Sequence, residues 1–246
     1  MDKKTFSIPA VILGISLIIV AIIVCYTLFG IKSANNIISV TGSTQKQITS
    51  DIAKWRSSFT RNIEASNINT GYTQMKTDLD AILSYLYEKG VTEGEITIDP
   101  IVIIPFSDND SGKYYYGAGK PTGYTLTQNI TIASNDINKI TNVAQNSGIL
   151  INQGIIFSSQ PVEYYYSKLA ELRVEMLGEA TNDAKLRAQK IAEQAGTEIG
   201  DLKSASMGVF QITAPYSTEI SDYGMYDTST IDKQITAIVK ASFEIK

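Results

Sequence analysis

The chain of 246 residues contains no histidine and a single cysteine, Cys25. Histidine is the usual acid–base group near neutral pH and the commonest metal ligand. Its absence removes Ser-His-Asp and Cys-His catalysis and every histidine-based metal site. One cysteine excludes a cysteine zinc site and any disulfide within the chain. Basic charge is also in short supply: 21 Lys and Arg face 25 Asp and Glu, for a net charge of −4. A nucleic-acid partner is not expected, because such a face is usually strongly basic.

Charge is missing altogether from one long stretch. Between Lys4 and Lys32 no charged residue occurs, and Ile8 to Ile31 is apolar enough to be read as a membrane span. A span needs about 20 apolar residues, whereas the apolar part of a cleaved signal peptide has about 7–15. A cut after Ala34 would put Lys32 where a small residue is expected. Residues 1–35 are therefore expected to form a cytoplasmic stub and an uncleaved signal-anchor. Lys3 and Lys4 place the N-terminus inside. Residues 36–246 become an ectodomain outside the cytoplasm, in a single-pass cell-membrane protein.

The ectodomain alternates strand and helix patterns. A strand is expected over 36–47, then turn residues at 49–51. In 52–64, Ala53, Trp55, Ser57, Phe59 and Ile63 share one side at a period of two, a half-buried strand. Tyr72, Met75, Leu79, Ile82, Leu83 and Leu86 recur at helical spacing, and Gly90 follows. Strands are expected over 95–106, where Pro100 and Pro105 suit an edge, and over 123–133. Ser134 or Asn135 is expected to cap a helix carrying Ile137, Ile140, Val143 and Ala144, which Gly148 ends. A strand over 149–159 closes the series. The order from 52 to 158 is then β-α-β-β-α-β, a ferredoxin-like arrangement. A long helix over about 163–195 sets Leu169, Leu172, Met176, Ala180, Ala184, Ala188, Ile191 and Ala195 near one side. Strands over about 201–212 and 233–245 finish the chain. The fold class is α+β, with one lobe at 52–158 and a second from 37–47 plus 159–246.

No stretch reads as a catalytic or cofactor site. "GAGKPTG" resembles a phosphate loop, but Tyr114 stands where its first glycine belongs and Pro121 where Ser or Thr belongs. It also feeds a strand, so no helix N-terminus faces a phosphate. "STQK" at 43–46 matches Ser-x-x-Lys, but a strand separates the two side chains that this chemistry needs together. Glu171, Glu175, Glu179 and Asp183 descend the long helix at four-residue spacing, read as a solvated face with a cation-binding face as the alternative, and Asp183 and Arg187 form a helix pair. The segment 213–232 holds four acids, Glu219, Asp222, Asp227 and Asp232, and no base. Tyrosine is enriched at interfaces, so Tyr114, Tyr115, Tyr116, Tyr216, Tyr223 and Tyr226 are the candidate partner contacts.

The order of these segments resembles the SIMPL-domain family. "ISVTGSTQKQITSDIA" is similar to that family's opening, "TGYTLTQNITI" to its Gly-Tyr strand and "INKITNVAQNSG" to the helix after it. "DAKLRAQKIAEQAGTEIGDL" is similar to its Ala-rich helix and exit. The resemblance runs over about 37–246. It implies an exported or membrane-anchored protein with no established catalytic residues, and no cofactor is expected from the sequence. In the family some members are linked with envelope stress, periplasmic immunogenic members form ring-like homo-oligomers, and a eukaryotic member is an adaptor for a Pelle-like kinase. The anchor and the acidic 213–232 insertion depart from that pattern. The expected function is a non-enzymatic protein that self-assembles or scaffolds partners. The alternative is a module that binds a small ligand or peptide through its tyrosine-rich loops.

Overall fold

The computed structural model of the chain describes residues 3–33, 36–107, 121–219 and 221–246, and within the first helix only the side chains of 12–27. That helix, α1, runs over Lys3–Ser33. Among the described residues no helix is long and apolar enough to cross a membrane. The stretch of α1 with described side chains, 12–27, is shorter than the about 20 residues a span needs.

Two strands follow, β1 at Ile37–Thr49 and β2 at Ile52–Glu64. Then come α2 (Ile68–Glu88), β3 (Ile96–Ile98), β4 (Val102–Phe106) and β5 (Gly123–Ser134). Next are α3 (Ile137–Asn146), the short α4 (Ile149–Asn152), β6 (Ile156–Ser159) and β7 (Glu163–Tyr165). The chain ends with α5 (Leu169–Gln194), β8 (Ile199–Met207), β9 (Gln211–Thr213), β10 (Met225–Tyr226) and β11 (Asp232–Ile245). This is a mixed α+β fold with two sheets, ordered β1-β11-β9-β10 with β8 on β11, and β3-β5-β2-β6 with β4 on β5 and β7 on β2. The chain divides into two compact units, 1–45 with 171–210 and 236–246, and 46–170 with 211–235. The stretches 159–170 and 211–235 thus cluster with the expected first lobe.

In the second unit, β2 and β5 pair antiparallel from Ala53–Ser134 to Glu64–Gly123. Trp55, Phe59, Ile130 and Ile132 fall on one face, where Met75, Ile82 and Leu86 of α2 and Ile140 and Val143 of α3 complete a buried core. Two polar groups in that core are satisfied. The Trp55 indole donates to Ser159 Oγ at 3.0 Å, and the Tyr85 hydroxyl to the Val143 carbonyl at 2.9 Å. Two ion pairs lock the helices. Arg61 donates from Nε and Nη2 to the Asp78 carboxylate at 2.6 and 2.7 Å. Lys139 donates to Glu95 at 2.9 Å. Burial pushes the Glu95 carboxyl up, but hydrogen bonds from Ser134, Thr92 and Lys139 prevail and hold it at about 2.

In the first unit the middle of α5 packs through small residues. Leu172, Met176, Ala180, Ala184, Ala188 and Ala192 form the buried stripe of α5, every fourth position. Strand β1 crosses it at Gly42. A Cβ added there would lie 2.2 Å from the Ala180 carbonyl oxygen and 2.4 Å from the Ala184 nitrogen. Only glycine admits so close an approach. Asp183 and Glu179, expected on a solvated face, tie the two elements together. The Ser43 amide donates to Asp183 Oδ2 at 2.8 Å, and the Thr44 hydroxyl to Glu179 Oε2 at 2.9 Å.

Four local expectations change. The strand over 95–106 breaks into β3 and β4 at Asp99–Ile101, where the Gln128 side chain donates to the Asp99 carbonyl at 2.8 Å. Residues 149–152 form a separate helical turn, α4, rather than the start of a strand, and Gly148 before it is right-handed at φ −56. Asp136, rather than Ser134 or Asn135, caps α3, accepting from the Lys139 amide at 2.9 Å. The long helix starts at Leu169, and residues 163–165 pair with β2 as β7.

Candidate functional site

The segment between β9 and β11 carries three of the expected tyrosines, Tyr216, Tyr223 and Tyr226, and helps to line a pocket in the second unit. It begins with Ala214, Pro215 and Tyr216. Tyr216 adopts φ 64, a left-handed backbone that costs a residue with a Cβ about 1–2 kcal/mol. Tyr216 is 86% exposed and lines a pocket of about 370 Å³ with Gln47, Ile48, Thr49, Pro215, Asp232 and Lys233. The Thr49 hydroxyl donates to Asp232 Oδ1 at 2.8 Å across the lining.

Lys233 was not among the expected site residues, yet it is only 1% exposed. A buried ammonium needs acceptors. It donates to the Thr230 carbonyl at 2.5 Å and stands 3.7 Å from Asp227 Oδ2. Burial pushes the Lys233 amine down, and the Asp227 charge opposes that. Asp227 is in turn held by the Ser229 amide at 2.8 Å, the Ser229 hydroxyl at 2.7 Å and the Thr230 hydroxyl. Burial raises its carboxyl, but those hydrogen bonds and Lys233 bring it to about 2. The signal was in "DTSTIDK": an acid two residues before a serine makes a local turn, and the lysine that follows falls on the buried side of β11.

The remaining tyrosines separate. Tyr223 is 97% exposed. Tyr226 lies on β10, its ring 6.2 Å from that of Tyr165, and is half-committed to packing. Tyr114, Tyr115 and Tyr116 lie outside the described residues. Ser43 and Lys46, three apart on β1, project to opposite sides of the strand and form no Ser-Lys pair. Among the described residues no three His, Cys, Asp or Glu are grouped to hold a metal ion.

A second surface lies at the edge of the six-stranded sheet. Among the described residues strand β4 pairs only with β5, and Val102, Ile103, Ile104, Pro105 and Phe106 are all exposed. No charged residue occurs from Ile101 to Ser107. The Phe106 carbonyl accepts from the Thr122 amide at 3.0 Å. Phe106 therefore turns its polar groups toward β5, and by strand alternation Pro105 turns away. The missing N–H of Pro105 thus faces outward, which shortens the hydrogen-bonding edge.

The family model described as SIMPL, protein of unknown function (DUF541), matches residues 38–243 of the chain. No curated protein matches it.

Proposed function

The chain belongs to the SIMPL family, and from that premise we propose that it is a non-enzymatic, membrane-anchored protein whose ectodomain associates with further copies of itself or scaffolds other proteins outside the cytoplasm. The anchor reading rests on the uncharged run from Ile8 to Ile31 and on its helical conformation. On the strand order β3-β5-β2-β6 we assign the second unit to the ferredoxin-like arrangement.

The observation that carries self-association is the β4 edge. An apolar, uncharged edge strand is a template for pairing with another chain. Pro105 leaves only a short run of free backbone groups, so the contact depends on Val102, Ile104 and Phe106, and it is weak and reversible. Sedimentation of residues 36–246 over a range of concentration tests this. Reversible association is expected, and a single monomer up to high micromolar concentration at low and moderate salt would count against it.

A second reading is favoured by the pocket. A strained, exposed Tyr216 beside a polar hollow suits the capture of a small ligand or peptide. Ligand-induced melting shifts that vanish in Tyr216→Ala would support it.

A further inference from the structure

The first unit carries an apolar patch on the exposed side of α5. Leu186 and Ile191 are 53% and 52% exposed, and with Arg187 and Lys190 they line a shallow hollow of about 400 Å³. We infer that this patch rests on the bilayer surface next to the point where the chain enters the membrane. The inference depends on the anchor reading of α1 proposed above.

The argument is one of register. Thr44 meets Glu179, Ser43 meets Asp183 and Gly42 meets Ala184, so α5 runs opposite to β1. From Gly42 back to Ile37 the strand spans about 17 Å, the length of about eleven helical residues. Counted from Ala184, Leu186 to Ile191 therefore lie alongside Thr41 to Ser39, about 6–14 Å from the level of Ile37. Hydrogen bonds gather the same end: the Ile245 amide donates to the Asn36 carbonyl at 3.0 Å, and the Lys246 amide to the Glu198 carbonyl at 2.8 Å. Helix α1 ends at Ser33. Four Cα steps of about 3.8 Å keep Ile37 within about 15 Å of it. If α1 enters the bilayer, the C-terminal turns of α5 are tethered against the headgroups.

The chemistry fits an interface. Two aliphatic side chains sit between two long cationic ones, whose stems lie along apolar surface while their heads reach phosphates. Arg187 is paired with Asp183 at 2.9 Å and Lys190 with Glu193 at 2.8 Å. Charge attraction is thus partly spent inside the protein, and apolar contact dominates. The exposed Val174 lies on the same helix, about 26 Å away, and serves as an internal control.

The test uses the full chain reconstituted in vesicles of equal parts phosphatidylcholine and phosphatidylglycerol, brominated near the headgroups. Ile191→Trp and Val174→Trp are compared, with the Trp55 signal of the unsubstituted chain subtracted. Quenching about threefold or more stronger at 191 than at 174 is expected, because interfacial burial reaches only about 5–10 Å. Equal quenching in protein that floats with the vesicles overturns the inference and leaves the anchor standing. Protein that does not float overturns both.

Discussion

The two units bury their interiors in different ways. The second fills the space between sheet and helices with Trp55, Phe59, Met75, Ile82 and Leu86. Each such side chain contributes about 1.5–3 kcal/mol on burial. The first has Gly42 against a stripe of Ala180, Ala184 and Ala188, and each alanine methyl contributes about 0.8 kcal/mol or less. One unit is stabilised by volume and the other by closeness. Loss of atoms should damage the second most, and gain of atoms the first.

Trp55→Ala tests the large core first. It removes the indole and its hydrogen bond to Ser159, and a loss of about 3–5 kcal/mol is expected in urea unfolding followed by far-UV circular dichroism. A loss below about 1 kcal/mol would mean that the second unit does not depend on volume.

Asp227→Asn probes the polar part of the same unit. It strands the buried Lys233 without its counter-charge, and about 3 kcal/mol should be lost. Lys233→Met added to it should restore most of that, since an apolar side chain of similar length needs no partner. The acid dependence has a defined sign. The Asp227 carboxyl is lowered to about 2, so its contribution is fully present above the unfolded value of about 4 and is lost as pH falls toward 2. Unfolding curves of the Asp227→Asn chain should be flatter across that window than those of the natural one.

Gly42→Ala sharpens the contrast from the other side. One methyl is added against backbone atoms of α5, and overpacking of this kind costs about 1–3 kcal/mol. If the substitution proves neutral, closeness is not what holds the first unit.

Much of this architecture was legible in the sequence, for a physical reason. Strand β2 is read directly because Ala53, Trp55, Ser57 and Phe59 alternate with polar residues that face solvent. Helix α5 is read because its alanines recur at a helical interval. Short apolar runs fail where both periods fit. Ile149, Leu150 and Ile151 suit a strand as well as a helical turn, and backbone bonds such as those from the Leu150 amide to the Ser147 carbonyl at 3.0 Å and from the Ile151 amide to the Gly148 carbonyl at 3.1 Å decide for the turn. Of the expected tyrosine contacts, Tyr216 falls at a pocket because of its left-handed backbone, which its sequence neighbours do not announce. Lys233 escaped notice because a lysine at the start of an alternating strand is read as exposed. Its partner Asp227 becomes a partner only through the turn that Ser229 and Thr230 close.

The β4 edge offers the smallest effect on stability and the most direct test of function. Ile104→Lys places a charge on an exposed strand, where the effect on folding should stay within about 0.5 kcal/mol. The measurement is sedimentation of residues 36–246 with and without that substitution, at matched concentrations and at low and moderate salt. The account predicts that the natural sequence associates reversibly as concentration rises and that the Ile104→Lys chain stays monomeric. Equal association of the two, or a natural chain that remains monomeric throughout, would contradict it.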